Sequence, residues 1–368
     1  MKRRGRKILS GLMTLCLTVG MLLVSAGCTA APSEKKEGGS FADSGDSTET
    51  ETRIFTDSAG RQVEVPVEIT RIIPSGDMAQ MFLWPLASDK LVSVSTAITP
   101  EQEKYLGDSC RDLPETGNLY KTGSELNVEE VATLGADIII DFGEAKDSIC
   151  EDLDNLQELL GIPCVFIEGG LTDSAQSYRM LGELLGMEEE AEELALYIEG
   201  ILEETDRVFE TVEKKEAVIL NGTDGLGCIA SGTYFDEVWA YMVKNVAVPA
   251  DAQMYASTRI DFEQLANWDP DFLFFYNTTA PAQQVSEGAW PQLRAVKSGQ
   301  WYPVPAGPYS FVSPPAVNRY LGILWIGTTV YPGEFSWDLR EKVKEYYNLF
   351  YHYELSDAEY DALMQQEK

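Results

Sequence analysis

The stretch "LNVEEVATLGADIII" (residues 126–140) is followed later in the chain by an altered copy, "RIDFEQLANWDPDFL" (residues 259–273). Each copy begins with a helix-capping residue, Asn127 or Asp261, and has a Glu or Gln three positions later, which is the pattern of a capping box. A short amphipathic run and then an apolar run, "IIID" or "FLFF", follow. A helix followed by a buried strand is half of a parallel α/β unit. The repeat therefore predicts two similar lobes.

Further apolar runs extend this pattern over most of the chain. Candidate strands lie at residues 71–75, 91–95, 137–141, 164–168, 217–220, 228–231, 272–276 and 301–305. Between the two groups of strands, residues 187–213 carry an apolar stripe at helical spacing, with glutamates at the start, where the helix dipole favours them. We therefore predict an α/β fold with an N-terminal lobe at residues 53–186, a linking helix at 187–213 and a C-terminal lobe at 214–368.

The first 52 residues have the layout of an export signal and a tether. Residues 1–7 are rich in Lys and Arg, an apolar run follows, and "SAGC" ends at Cys28, so residues 1–27 are predicted to be a signal peptide. The small residues before Cys28 resemble a bacterial lipobox, in which the cysteine receives lipid; an uncleaved transmembrane anchor is the alternative interpretation. Residues 28–52 are too polar to form a core and predict a disordered, lipidated tether. Both interpretations place the remainder outside the cytoplasm, at the membrane.

The charge and the cysteine content argue against nucleic acid as a partner and against a metal site of Cys and His ligands. The net charge is −32, with 28 basic against 60 acidic residues, so nucleic acid is not an expected partner. After Cys28 the chain has only four cysteines and one histidine, His352, without CxxC spacing, so no metal site is predicted. We expect the four thiols to be small buried residues, and a disulfide between Cys150 and Cys164 stays open.

Evidence for catalysis is sparse. The sequence has no GxSxG motif, no P-loop and no histidine in the body of either lobe. With 60 acidic residues, a pair of catalytic carboxylates is not excluded, because only geometry identifies such a pair. We therefore predict no enzyme, no catalytic residue and no cofactor. A secreted two-lobed hydrolase and a surface adhesin are the alternative interpretations from other classes.

A combination of features resembles the solute-binding proteins of ABC importers for iron-siderophore complexes, haem and cobalamin. The features are the lipobox, "FTDSAGRQVEVPVEITRII" (residues 55–73), the glutamate-bearing repeat, the long helix and "FYHYELSDAEYDALM" (residues 350–364). The resemblance covers residues 53–368. It implies two α/β lobes joined by one long helix, a ligand cleft between the lobes, and no catalysis. We also expect a monomer that meets an ABC permease dimer.

Ligand-binding residues are expected in the loops at the carboxyl ends of the strands. Gly143 and Lys146 follow the strand predicted at 137–141. The main candidates are Ser75, Asp77, Met78, Thr96, Tyr120, Lys121, Tyr234, Tyr276, Tyr309, Phe311 and Arg319. Tyr309 and Phe311, in a loop bounded by prolines, rank first among them. Aromatic faces suit a large chelate, and Lys or Arg would neutralise its anionic groups.

The ligand class and the docking residues follow from the resemblance. An iron-siderophore-type metal chelate ranks first, and haem, cobalamin and molybdate or tungstate are alternatives. In cobalamin-binding relatives, one glutamate at a helix start in each lobe meets arginines of the permease. Glu129 and Glu263 are the matching residues in this chain. Stabilisation of the helix start alone is the alternative role for both glutamates.

Overall fold

The computed structural model describes residues 51–120, 124–312 and 317–364 of the chain. The strands are β1 (Thr52–Thr56), β2 (Gln62–Pro66), β3 (Ile72–Pro74), β4 (Ile138–Gly143), β5 (Cys164–Glu168), β6 (Glu216–Asn221), β7 (Gly227–Ile229), β8 (Lys244–Asn245), β9 (Thr258–Arg259), β10 (Phe272–Phe275) and β11 (Trp301–Pro303). The helices are α1 (Asp77–Ala87), α2 (Pro100–Leu106), α3 (Val128–Thr133), α4 (Ile149–Leu160), α5 (Ser174–Leu185), α6 (Glu188–Phe209), α7 (Glu237–Met242), α8 (Phe262–Trp268), α9 (Pro281–Ser286), α10 (Arg294–Lys297), α11 (Arg319–Val330), α12 (Leu339–Tyr351) and α13 (Asp357–Met364). The predicted signal peptide, Cys28 and Lys121 lie outside the described residues.

The N-terminal lobe is built on a parallel sheet in the order β3-β4-β5. Every residue of β4 is buried, as the run of three isoleucines at its start predicts for a strand covered on both faces. The strand predicted at residues 91–95 does not form and leaves only two isolated bridges, Ile72 to Leu91 and Val94 to Glu115. The backbone N–H of Ser95 donates instead to the side chain of Gln80 at 2.6 Å. The N–H of Ser95 therefore takes no part in a backbone ladder.

The C-terminal lobe has a mixed sheet in the order β11-β10-β6-β7-β9, with β8 beside β6. β11, β10 and β6 are parallel, and β7 runs antiparallel to β6. The "FLFF" run forms the buried strand β10, as the sequence predicts. The predicted α/β fold of two lobes is confirmed.

The repeat folds as two short helices, each followed by a strand. In α8 the capping box is complete, because Asp261 accepts from the backbone N–H of Gln264 and Gln264 accepts from that of Asp261. In α3 only the first half forms: Asn127 accepts from the N–H of Glu130, while the N–H of Asn127 donates to the carbonyl of Thr116. A long-range backbone bond thus replaces half of the predicted box.

The motif "FTDSAGRQVEVP" forms the hairpin of β1 and β2 and attaches it to the sheet. Asp57 is buried and accepts from the backbone N–H groups of Ala59 and Arg61, which fixes the turn. The Arg61 guanidinium pairs with Asp57 at 2.9 Å and also donates to the carbonyl of Cys164 at the start of β5. The polar residues of this motif are therefore structural.

The long helix α6 lies within the predicted linking segment, and its apolar stripe is buried. It packs on α5 so closely that a Cβ at Gly182 would lie 2.5 Å from that of Ala191. The chain then returns to the N-terminal lobe after α12: Nε2 of His352 lies 2.9 Å from the carbonyl of Pro85, and Lys104 pairs with Glu359 at 2.9 Å. The lobes are thus connected by α6 and also by the C-terminal segment. None of the helices in the described ranges is long and apolar enough to cross a membrane.

Candidate ligand cleft between the lobes

A cavity of about 450 Å³ lies at the carboxyl ends of β3 and β4. The C-terminal lobe contributes two aromatic side chains to it, Tyr234 and Tyr255, and the N-terminal lobe contributes the rest. The lining residues are Ser75, Gly76, Asp77, Met78, Ala79, Asn118, Tyr120, Asp141, Phe142, Gly143, Glu144, Ala145, Lys146, Asp147, Tyr234 and Tyr255. This position between the lobes, at strand ends, is where α/β folds bind ligands.

A larger and more open groove, of about 800 Å³, lies between α6 and α12. Its lining comes from those two helices and from the segment that precedes α12, including Glu193, Trp337 and Glu341. No strand end of the described chain reaches this groove. The smaller cavity, where residues of both lobes converge, is therefore the candidate ligand site.

The buried polar pair of the cavity is Ser75 and Asp141. Ser75 follows β3, Asp141 lies in β4, and the Ser75 hydroxyl donates a hydrogen bond to the Asp141 carboxylate. Burial raises the pKa of Asp141, and the bond from Ser75 opposes that rise. Gly143 ends β4 with φ of 147°, and a Cβ there would lie 2.5 Å from the Met78 side chain. Only glycine fits at this point of the cavity wall.

Two further cavity groups are oriented by side chains from neighbouring loops. Asp77 accepts from the Thr96 hydroxyl at 2.5 Å, and its backbone N–H donates to Asn118 at 2.8 Å. The ammonium group of Lys146 lies over the ring of Tyr120. Burial lowers the pKa of Lys146, and burial raises the pKa of Tyr120. Lys146 therefore makes a cation–π contact within the protein.

The aromatic wall comes from the C-terminal lobe. The Tyr234 hydroxyl donates to the sulfur of Met78 at 3.4 Å, across the cleft. Burial raises the pKa of Tyr234 to about 12, so its phenol is neutral and can donate at physiological pH. The ring of Tyr255 lies 5.5 Å from that of Tyr234, and 72% of the Tyr255 residue surface is exposed. Tyr255 thus presents an open ring at the mouth of the cavity.

Arg319 connects the lobes behind this wall. It is buried and forms an ion pair with Glu237, and the other carboxylate oxygen of Glu237 accepts from the backbone N–H of Leu171 at 2.8 Å. Leu171 follows β5 in the N-terminal lobe, so Glu237 joins both lobes. Burial lowers the pKa of Arg319. The Arg319 guanidinium therefore has a counterion inside the protein at Nη1, whereas its Nε and Nη2 are buried without a hydrogen-bond partner among the described residues.

The predicted site residues fall into three groups. Ser75, Asp77, Met78, Tyr120 and Tyr234 line the cavity, and Thr96 hydrogen-bonds Asp77. Tyr276, Tyr309, Phe311 and Arg319 are not among its lining residues. Lys121 is outside the described residues.

The two candidates that ranked first, Tyr309 and Phe311, do not line the cavity. Phe311 is 0% exposed and belongs to the hydrophobic core, and Tyr309 packs against that core and hydrogen-bonds Gln80 of α1. Buried side chains also hold the backbone of this loop. The Tyr347 hydroxyl donates to the carbonyl of Gly307, and the side-chain amide of Asn318 donates to the carbonyl of Ser310. These aromatic residues connect the lobes and do not face the cavity.

Several lining residues were missed by the sequence reasoning. Asp141, Phe142, Glu144 and Asp147 lie in "DFGEAKD", within and directly after β4. The rule that loops at strand ends bind ligands would have found them, had it been applied to every residue of that loop. Tyr255 had no such signal, because it lies far in sequence from any strand end on the cleft.

Three of the four cysteines that follow Cys28 are buried, as expected, and the possible disulfide between Cys150 and Cys164 does not form. Cys110, Cys164 and Cys228 are buried, whereas Cys150 is exposed near the start of α4, and all four are free. In the described ranges, no three His, Cys, Asp or Glu side chains are grouped so that they could hold a metal ion.

Comparison with known proteins identifies the family. Residues 76–307 match the model of a family described as periplasmic binding protein. The chain belongs to the periplasmic binding protein family. Its role is solute binding outside the cytoplasm rather than catalysis, in agreement with the sequence prediction. No curated protein matches this periplasmic binding protein in sequence.

Solved structures share its fold. The ABC transporter solute binding protein from Sulfurospirillum deleyianum is 24% identical, with a TM-score of 0.77 over 85% of this chain and 99% of that one. A periplasmic solute binding protein from Veillonella parvula is 25% identical, with a TM-score of 0.70 over 85% and 97%. The molybdate periplasmic binding protein MolA from Haemophilus influenzae is 18% identical, with a TM-score of 0.61 over 83% and 99%.

Phe311 and Tyr255 differ in burial, which gives a first prediction. Phe311→Ala should lower the free energy of unfolding by about 3–5 kcal/mol, because it leaves a cavity in the core. Tyr255→Ala, at an exposed ring, should change it by less than about 0.5 kcal/mol. Urea unfolding of both variants measures this. Equal stability of the two variants would contradict the assignment of Phe311 to the core.

Asp141 gives a prediction about pH. Because burial raises its pKa, the folded protein holds this proton more tightly than the unfolded chain does. That stabilisation is present below the unfolded pKa and is lost as pH rises through the folded pKa. Asp141→Asn cannot ionise, so its stability relative to wild type should increase from acidic to neutral pH. Ser75→Ala should show the opposite trend, since it removes the bond that favours the carboxylate. Urea titrations across pH test both, and a pH-independent difference for Asp141→Asn would refute the raised pKa.

Proposed function

We propose that the protein is an extracytoplasmic lipoprotein that captures a metal chelate of the iron-siderophore type and delivers it to an ABC importer. The observation that carries the proposal is the cavity between the lobes, lined by aromatic and charged side chains. Its volume of about 450 Å³ falls in the range of small-molecule sites, roughly 300–1,000 Å³. Haem, cobalamin and molybdate or tungstate are the alternative ligands.

Haem as the alternative ligand would need an axial His or Tyr. His352 is held against Pro85 and does not line the cavity. The tyrosines that do line it are Tyr120, Tyr234 and Tyr255. Any axial ligand from the described lining of this cavity would therefore be a tyrosine.

The proposed capture of a chelate is tested by native mass spectrometry of the folded protein. The panel consists of ferric siderophores, haemin, cobalamin and molybdate. We expect a stoichiometric complex with a ferric siderophore, and Tyr255→Ala should weaken it by about 0.5–1.5 kcal/mol if the ring stacks on the ligand. Leu159→Ala provides the comparison, because Leu159 is exposed and does not line the cavity. Failure of every member of the panel to bind would refute the proposed function.

Delivery would use Glu129 and Glu263. Each is exposed at the second position of a short helix, α3 or α8, and neither forms an ion pair with a described residue. Two equivalent carboxylates on two lobes suit two equivalent permease subunits, since Arg–carboxylate contacts fix orientation. Lipid at Cys28 and the tether at residues 28–52 would hold the protein close to that permease.

The docking role predicts the behaviour of the double variant Glu129→Arg with Glu263→Arg. Ligand affinity and melting temperature should remain near wild type, because both side chains are exposed and neither lines the cavity. Uptake and ligand-stimulated ATPase activity of the reconstituted importer should be lost. The matched control is Glu158→Arg with Glu334→Arg, which reverses two other exposed charges. Transport that survives the first double reversal would leave these glutamates with a role in helix stabilisation alone.

A further inference from the structure

We propose that the Arg319 guanidinium receives a carboxylate of the ligand, so that the chelate bound between the lobes carries a free carboxylate arm. The proposal rests on the proposed function and specifies the ligand class within it. The observation that carries it is one edge of a buried guanidinium that has no partner among the described residues. The arm would reach this edge behind Tyr234 while the body of the chelate occupies the cavity.

The three nitrogens of the Arg319 guanidinium have different surroundings. The side chain is buried, and Nη1 pairs with the Glu237 carboxylate. Nε and Nη2 are also buried, but neither has a hydrogen-bond partner in the described part of the chain. The guanidinium is planar, so one N–H of each of these two nitrogens points outward from the same edge, in parallel. We call Nε and Nη2 the donor edge of Arg319.

An empty donor edge is costly inside a protein. Buried donors of a charged group have lost their hydrogen bonds to water and are seldom left unpaired. Burial lowers the pKa of Arg319 although Glu237 lies beside it. In addition, α11 begins at Arg319 and has no acidic residue in its first turn, so the positive end of the helix dipole meets a positive side chain. An anionic group at the donor edge would satisfy both donors and balance this charge.

A carboxylate has the shape that the donor edge requires. Its two oxygens lie in one plane and accept in parallel from the two donors, which is the bidentate geometry of strong Arg–carboxylate pairs. A primary carboxamide of the same size offers only one acceptor and turns its own N–H toward the second donor. The structure therefore favours a metal chelate with a carboxylate arm. Tetrahedral oxyanions also present two oxygens, so molybdate belongs among the probes.

The donor edge is close to the cavity. Tyr234 and Glu144 line the cavity, and both interact electrostatically with Arg319. The Tyr234 hydroxyl donates to the Met78 sulfur at 3.4 Å, and a thioether is a weak acceptor. The Tyr234 side chain can therefore turn at little cost, and its movement opens the path from the cavity to Arg319.

Lys146 is the competing receptor for an anionic group. It lines the cavity and is exposed, with its ammonium group over the Tyr120 ring. Water and salt screen an ion pair at an exposed ammonium, so such a pair contributes little to affinity. Glu144 is exposed as well, and its repulsion of an anion is screened in the same way. The donor edge is already dehydrated and fixed, so its contribution should exceed both.

The test compares two chelates that differ in one group. The probes are ferric complexes of a linear trihydroxamate whose terminal amine carries either a succinyl group, with a free carboxylate, or the corresponding succinamide, with a carboxamide of equal size. Affinity for the full-length folded protein is measured by calorimetry at low and high ionic strength. We expect the carboxylate complex to bind roughly 10- to 100-fold more tightly, as for a hydrogen-bonded charged pair. Most of this preference should persist at high salt, because the site is buried.

Variants locate the source of the preference. Arg319→Lys keeps a positive charge opposite Glu237 but has no donor edge, so the preference should be largely lost. The matched control is Arg294→Lys, at an exposed arginine outside the cavity lining, which should keep the wild-type preference. Melting temperatures show whether both variants are folded. Lys146→Met removes the competing receptor and is measured in parallel.

A second readout uses the unaltered protein and does not depend on the folding of Arg319→Lys. The Nε–H signal of Arg319 is followed by NMR in protein labelled with ¹⁵N-arginine, with diamagnetic gallium complexes of the same two chelates and with molybdate. The carboxylate complex should move this proton signal downfield and slow its exchange with water. The carboxamide complex should have a smaller effect on both.

The outcomes separate this proposal from the proposed function. Equal binding of the two chelates overturns the carboxylate site but leaves chelate capture intact. An unchanged Nε–H signal, as expected if only an internal water fills the donor edge, overturns it too, as does a signal that responds to molybdate alone. A preference that survives in folded Arg319→Lys or disappears in Lys146→Met assigns the carboxylate elsewhere. Binding of neither chelate, of haemin, of cobalamin or of molybdate overturns the proposed function and the carboxylate site with it.

Discussion

Parallel strands cannot be joined by a tight turn, and this constraint sets the position of the ligand cavity. Each crossover must carry the chain back to the same end of the sheet, so the carboxyl ends of the strands collect at one edge. In the N-terminal lobe β3, β4 and β5 are all parallel, and Ser75 and Gly143 emerge together at that edge. The cavity, its buried Ser75–Asp141 pair and the charged loop after β4 all depend on this alignment.

Buried polar contacts then fix how the two lobes face each other. Glu237 accepts from Leu171 across the lobes while it pairs with Arg319, and the Tyr320 hydroxyl donates to the Leu171 carbonyl at 2.6 Å. Tyr309 and the C-terminal segment add contacts between the lobes. Because a buried polar group that loses its partner is costly, these contacts resist large opening. The cleft is held by several connections besides α6, which favours small hinge motions.

The charged groups at the cavity differ in their burial and in their partners. Arg319 is buried with Glu237 as its counterion, but its Nε and Nη2 have no hydrogen-bond partner among the described residues. Lys146 is exposed and lies over the Tyr120 ring. Asp77 is half-buried, Glu144 and Asp147 are exposed, and none of the three forms an ion pair with a described residue.

Local sequence determined the elements whose pattern is short-range. The capped helices α3 and α8, the apolar strands β4 and β10 and the stripe of α6 follow from hydrophobic period and capping residues, which act over a few positions. The N-terminal half of the cavity was also accessible, since Ser75, Asp77 and Met78 directly follow a recognisable strand. Only the tertiary structure decided which aromatic residues reach the cavity. Phe311 became buried, Tyr309 became half-buried against the core and Tyr255 became exposed, because burial depends on contacts between segments that are distant in the chain.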